Sequence, residues 1–92
     1  MHFGQVDKAM ADFKKSIAMA ADNDEAHQWL GKSYAQKKMY QEALAEFSEA
    51  IKINTDAPER IYKDRAEVYK KLGRLDLAQE DLKRAGNGAA KK

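Results

Sequence analysis

The sequence predicts an all-α protein built from antiparallel helix pairs that stack side by side. Three observations predict this fold class. Columns of small and apolar residues recur at a step of 34 or 35 residues, as in Ala9, Ala43 and Ala78. Within each unit these residues are three or four positions apart, which places them on one face of a helix. The intervening segments are short, so consecutive helices are expected to be antiparallel neighbours.

The chain of 92 residues divides into five helical segments. Their predicted bounds are about 5–20, 24–37, 40–53, 58–72 and 75–85. Residues 22–24 supply N-cap acceptors for the second helix, and Pro58 suits the first turn of the fourth. Gly73 has the position of a C-cap glycine after helix four. The break near residues 37–39 is less clearly marked, because it has no Gly.

The second and fourth helices, each the first member of a helix pair and called leading helices below, carry a second aligned segment. Residues 30–34 align with residues 65–69, and in both a small residue, Gly31 or Ala66, precedes a Tyr by three positions. A Gly inside a helix costs about 1 kcal/mol relative to Ala. We therefore expect a packing reason for Gly31, such as the close approach of a second helix.

These columns resemble the tetratricopeptide repeat. The match is clearest in the second unit, in Leu30-Gly31-x-x-Tyr34 and then Ala43-x-x-x-Phe47-x-x-Ala50. The last unit matches through Ala66-x-x-Tyr69 and Ala78-x-x-x-Leu82-x-x-Ala85, and the first through Ala9, Phe13 and Ser16. The sequence departs from the family pattern in several ways: among them, the usual Pro after Ile53 is absent, the second unit is one residue longer than the usual period, and the first unit lacks most of its leading helix.

The resemblance implies a short right-handed solenoid with its first repeat truncated. The repeat domain covers residues 1–86, with units of about 1–23 (partial), 24–58 and 59–86, and residues 87–92 form a flexible tail. The truncation predicts a partly uncovered apolar face on helix one, formed by Val6, Met10, Phe13 and Ile17. Two explanations stay open: a piece of a longer array, or self-association through helix one.

The resemblance also implies a non-catalytic scaffold that binds a protein partner, as a peptide or a helix, in a concave groove lined by helices two and four. The alternative is a structural segment of a larger array or a self-associating assembly module. The groove candidates on helix two are Glu25, Gln28, Trp29, Lys32 and Gln36. Those on helix four are Arg60, Lys63, Asp64, Glu67 and Lys70.

Trp29 and the lysines of this set have competing interpretations. Trp29 offers the large area and donor typical of an interface hot spot, but it could equally pack on helix one or on lysine stems. The lysines of the set form either a basic stripe for an acidic peptide or a solvated face balanced by acids. Trp29 and Asp64 occupy the places where carboxylate-clamp members of the family have Asn and Arg, so that specificity is not expected.

Composition argues against other classes of function. The chain has no Cys, no Gly-rich phosphate loop and a net charge of +2, so we expect no enzyme activity, no metal or other cofactor and no nucleic-acid partner. His2 and His27 are far apart in sequence, and the serines lie inside predicted helices without a nearby base. No apolar run approaches the roughly 20 residues of a membrane span. The cytoplasm is the default compartment.

Overall fold

The computed structural model describes residues 4–20, 22–54 and 59–90. These residues form five α-helices: α1 Gly4–Met19, α2 Asp24–Gln36, α3 Tyr40–Ile53, α4 Glu59–Lys71 and α5 Leu75–Ala90. The described ranges contain no strand, which confirms the predicted all-α class. The predicted helix start at Pro58 lies outside the described residues.

Helix α5 differs most from its predicted bounds. It continues to Ala90, although the sequence predicted an end near residue 85 and a flexible tail from residue 87. The helix continues past Gly86 and Gly88 because a Gly lowers helix stability by only about 1 kcal/mol and does not forbid the conformation. Lys91 and Lys92 lie outside the described residues.

Helix α4 ends in the cap that its glycine predicts. Gly73 has a φ angle of 77°, in the left-handed region. Its N–H donates to the carbonyl of Lys70 at 3.0 Å, and the N–H of Arg74 donates to that of Tyr69 at 2.8 Å. This pair of hydrogen bonds is the Schellman motif.

Helix α2 ends in the same motif without a glycine. Lys38, 35 residues before Gly73, has a φ angle of 63°. Its N–H donates to the carbonyl of Ala35 at 3.0 Å, and the N–H of Met39 donates to that of Tyr34 at 2.9 Å. The end of α2, which the sequence marked least clearly, therefore has the same structure as the end of α4, which the sequence marked most clearly.

Each helix packs against the next along the chain, and α2 also contacts α4. Helix α3 lies between α2 and α4 and supplies the centre of the core. The core residues are Ala43, Phe47, Ala50, Ile61 and Val68. The molecule measures 38 × 30 × 16 Å, the flat shape expected of stacked helix pairs.

Gly31 permits the close approach of α2 and α3. A Cβ atom at Gly31 would lie 2.8 Å from Cε1 of Phe47, which is 1% exposed. This distance is shorter than any ordinary van der Waals contact, so the expected packing reason for Gly31 is present.

Each helix pair is also joined by a polar contact. In the first, Nδ1 of His27 on α2 lies 2.7 Å from Oε1 of Glu46 on α3. In the second, Arg65 on α4 donates two hydrogen bonds of 2.8 Å to Asp81 on α5. The hydrogen bond to Asp81 raises the pKa of Arg65 above its ordinary value. Asp81 follows Glu46 by 35 residues, so the repeat places its carboxylate at the same position in both pairs.

Candidate functional site

The two leading helices, α2 and α4, form one wall of the molecule. Both pack against α3, and they contact each other directly. A cavity of about 280 Å³ lies between them. Its apolar lining comes from Ala35, Tyr40, Phe47 and Val68, and its polar rim from Lys32, Gln36, Asp64, Glu67 and Lys71.

The rim of this cavity carries both signs of charge. Nζ of Lys32 on α2 lies 3.9 Å from Oδ2 of Asp64 on α4, so this pair spans the cavity. Burial raises the pKa of Asp64, and the positive charges of Lys32 and Arg60 oppose this effect. The carboxylate of Asp64 is therefore held in a partly dehydrated position at the cavity wall.

Trp29 makes the packing contacts that one of its two interpretations predicts. Its ring stacks on that of Phe13 of α1, with centroids 6.4 Å apart and planes inclined by 20°. Nζ of Lys32 lies 4.8 Å from the centroid of its ring. Nevertheless 43% of Trp29 stays exposed. Trp29 thus packs on helix one and on a lysine, and its role in binding a partner stays a prediction.

A second cavity, of about 320 Å³, lies between α1 and α2. It is lined by Phe13, Ser16, Asn23, Glu25, Ala26 and Trp29. Because Lys32 contacts Trp29 on one side and Asp64 on the other, it stands between this cavity and the one between α2 and α4.

The structure places most of the predicted groove residues at the surface. The exposed ones are Glu25, Trp29, Gln36, Arg60, Lys63, Glu67 and Lys70. Lys32 and Asp64 are half-buried. Gln28 is 7% exposed, so its prediction as a groove residue was wrong. Helix α2 packs against both α1 and α3, which makes its buried arc wider than one amphipathic stripe.

Three lysines on this wall are paired with acids. Lys32 lies near Asp64, as described above; Lys63 lies 3.9 Å from Glu59, and Lys70 lies 3.8 Å from Glu67. These distances favour the solvated, balanced face over a basic stripe.

Sequence reasoning missed five residues of the α2–α4 cavity: Ala35, Tyr40, Phe47, Val68 and Lys71. Phe47 is buried in the core and also lines the cavity. The available signal was Ala35, which follows Gly31 by four positions. Two small residues on one stripe of a leading helix leave space beside it.

On α1, Met10 is buried, and Val6, Phe13 and Ile17 are half-buried.

Among the described residues no group of three or more His, Asp or Glu side chains is arranged to hold a metal ion. Within the same ranges, no helix combines the length and the apolar character needed to cross a membrane.

Repeated antiparallel helix pairs with a groove between their leading helices define a helical-repeat binding module. One family model of the tetratricopeptide repeat matches residues 1–63, and a second matches residues 60–85. The chain therefore belongs to the tetratricopeptide repeat family. Members of this family are typically non-catalytic interaction scaffolds, and the chain is a protein-interaction scaffold of this general kind.

Solved structures of MamA have the same fold. A crystal structure of MamA superposes with a TM-score of 0.90 at 21% identity, over 97% of this chain and 52% of that one. AMB-1 MamA in a P212121 crystal gives a TM-score of 0.87 at 19% identity, over 96% of this chain and 52% of that one. The chain thus spans about half the length of these MamA chains. The search of curated proteins found no match.

Proposed function

We propose that the chain binds a peptide or a partner helix along the wall formed by α2 and α4, and that it has no catalytic activity. The observation that carries this proposal is the cavity between the two helices, with an apolar lining and a polar rim. Concave sites of this composition are the usual form of a binding site, because apolar contacts give affinity and polar groups at the edge give orientation.

The two cavities on either side of α2 support an elongated partner. A ligand that occupied both would pass over Lys32 and Trp29, whose side chains lie between them. Such a ligand needs at least two anchoring side chains, which a peptide or an amphipathic helix offers at regular intervals.

The charge of the wall supports a protein partner over a nucleic acid. Three of its lysines, Lys32, Lys63 and Lys70, lie close to carboxylates, and the whole chain has a net charge of +2. Nucleic-acid binding draws its affinity mainly from clustered unpaired cations. The predicted absence of cofactors and the cytoplasmic location belong to the same proposal and rest on the sequence.

A second candidate function is assembly, either within a larger repeat array or by self-association. The observation that favours it is on α5: Leu75 is 60% exposed and Leu82 is 38% exposed. They follow Tyr40 and Phe47 by 35 residues, and Phe47 is buried between the leading helices. A further leading helix would cover this face of α5 in the same way.

Trp29→Ala tests the groove. Peptides are selected from a random display library against the immobilised chain, and their Kd values are measured by calorimetry. Because exposed tryptophans dominate many interfaces, the variant is expected to weaken binding by about tenfold or more. Leu75→Ala, which removes an exposed apolar side chain from α5, is the matched control and is expected to leave Kd unchanged.

Two results would contradict the groove. One is full affinity in Trp29→Ala, which would remove Trp29 from recognition; the other is cross-linking of the selected peptides to α3 or α5 instead of α2 and α4. Light scattering separates the alternative: a monomer that binds peptides supports the groove, whereas a stable dimer weakened by Leu75→Ala supports assembly.

A further inference from the structure

The cavity between α2 and α4 has room for about one side chain. Its volume of about 280 Å³ is just below the range of about 300–1,000 Å³ found for small-molecule sites. The apolar part of its lining comes from three elements: Ala35 from α2, Tyr40 and Phe47 from α3, and Val68 from α4. A space of this size with such a lining suits a bulky aliphatic or aromatic group.

The charges at the rim select against a charged occupant. Two ammonium groups, Lys32 and Lys71, line the cavity together with two carboxylates, Asp64 and Glu67. An ionised ligand group would lose its hydration and would meet as many like charges as opposite ones. The side chain of Asp64 is half-buried, so water is partly excluded at this wall, and this burial raises the pKa of its carboxyl. An uncharged side chain avoids the cost of desolvation.

The cavity beside Trp29 has a different lining. Phe13 and Trp29 supply its aromatic surface, but more of the exposed wall of this cavity is polar than apolar, whereas the wall of the α2–α4 cavity is mostly apolar. Of the two cavities, the one between α2 and α4 therefore has the stronger preference for an apolar group.

We propose that the α2–α4 cavity is an anchor subsite that takes one uncharged, bulky side chain of the leucine, methionine or phenylalanine kind from the bound segment. This inference rests on the proposed function, because it specifies what the groove between α2 and α4 recognises. On this proposal the chain recognises its partner by an apolar side chain and not by the partner's net charge.

Blocked amino acids test the subsite without a known partner. The N-acetyl amides of leucine, phenylalanine, lysine and glutamate are titrated into the ¹⁵N-labelled chain, and amide shifts are followed by NMR. The leucine and phenylalanine amides are expected to shift Ala35, Tyr40 and Val68 saturably, with Kd on the order of millimolar for ligands of this size. The lysine and glutamate amides are expected to give no saturable shift there.

Filling the cavity provides the matched variants. Ala35→Phe is expected to weaken binding of the phenylalanine amide at least tenfold, and Ala35→Leu, the milder change, by a smaller factor. Ala45→Phe makes the same substitution at an exposed position of α3 and is expected to leave binding unchanged. Thermal unfolding of each variant establishes that the loss does not come from an unfolded chain.

Three outcomes would overturn the anchor subsite: equal binding of the charged amides at these residues, shifts centred on Phe13 and Trp29, or full binding in both Ala35 variants. Its failure can be distinguished from failure of the groove. If library-selected peptides bind and depend on Trp29 but not on Ala35, the groove stands and the anchor falls. If the amides fill the cavity but no peptide can be selected, the preference of the cavity for apolar groups stands, whereas the peptide groove falls and the anchor role falls with it.

Discussion

At the scale of single residues, the structure shows how the same position in the repeat is filled in different ways. Phe47 is buried against Gly31, whereas Leu82, its equivalent 35 residues later, is 38% exposed. A column of equivalent residues is thus evidence for the repeat, but neighbouring helices decide whether a member is core or surface. Gly31 illustrates this dependence on neighbouring helices, because the ring of Phe47 occupies the space that a Cβ atom at Gly31 would need.

Gly31→Ala is expected to destabilise the fold by about 1 kcal/mol. Alanine gains up to about 1 kcal/mol in helix propensity, but overpacking a buried site costs about 1–3 kcal/mol. The loss should prevail because the new Cβ would lie 2.8 Å from the buried ring of Phe47. Urea denaturation measures the free energy of unfolding. Gly86→Ala is the control: among the described residues, no atom outside the adjoining backbone of α5 lies within 4 Å of its Cβ position, so a small stabilisation is expected. If Gly31→Ala also stabilised the chain, the contact between α2 and α3 would have room for the additional Cβ atom.

At the scale of helices, the caps show which elements the sequence could specify. Gly73 marked the end of α4, and Asn23 caps α2 by accepting a 3.1 Å hydrogen bond from the N–H of Ala26. The end of α2 carried no such signal, because Lys38 adopts the left-handed conformation without being a glycine. Backbone hydrogen bonding fixes this turn, and a side-chain pattern does not reveal it.

Lys38→Gly is therefore expected to stabilise the chain by about 0.5–1 kcal/mol. A residue with a Cβ atom is destabilised by roughly 1–2 kcal/mol in the left-handed region, and glycine removes this cost. The greater freedom of glycine in the unfolded chain offsets part of the gain in stability. Gly73→Ala should cost about 1 kcal/mol for the converse reason. The midpoint of thermal unfolding reports both changes. Lys15→Gly, at an exposed position inside α1, is the control and is expected to destabilise by about 1 kcal/mol. A loss of stability in Lys38→Gly would mean that the turn does not strain the lysine.

At the scale of the whole molecule, much of the fold followed from one repeat step, but the site followed only in part. The 34- or 35-residue spacing predicted the helix pairs and the leading helices that form the groove wall. It did not predict the cavity, because its floor belongs to Tyr40 and Phe47 of the intervening helix. It also misplaced Gln28, since a helix covered on two sides buries more than one stripe. Contacts that involve three helices at once are not encoded in the pattern of any one of them.

The contact between Arg65 and Asp81 offers a test at this same scale, because it joins three helices. Arg65 on α4 donates to Asp81 on α5 and, at 3.0 Å, to the hydroxyl of Ser48 on α3. Asp81 is 1% exposed, and Arg84 also lies 3.1 Å from its carboxylate. Removing one member of a buried ion pair leaves the other charge without compensation and typically costs about 3–5 kcal/mol.

Asp81→Leu alone is thus expected to cost about 3–5 kcal/mol, a large share of the stability of a chain this small. The double variant Arg65→Met with Asp81→Leu should recover most of that loss, because two apolar side chains of similar size replace the buried pair. Urea denaturation of the single and double variants gives the coupling energy directly. Hydrogen exchange should show that Asp81→Leu loses protection in α4 and α5 before α2 and α3, since stacked repeats are held mainly by their nearest neighbours. If the losses measured for Asp81→Leu and Arg65→Met singly simply add in the double variant, the two residues do not act as one unit, and the α4–α5 pair depends on apolar packing alone.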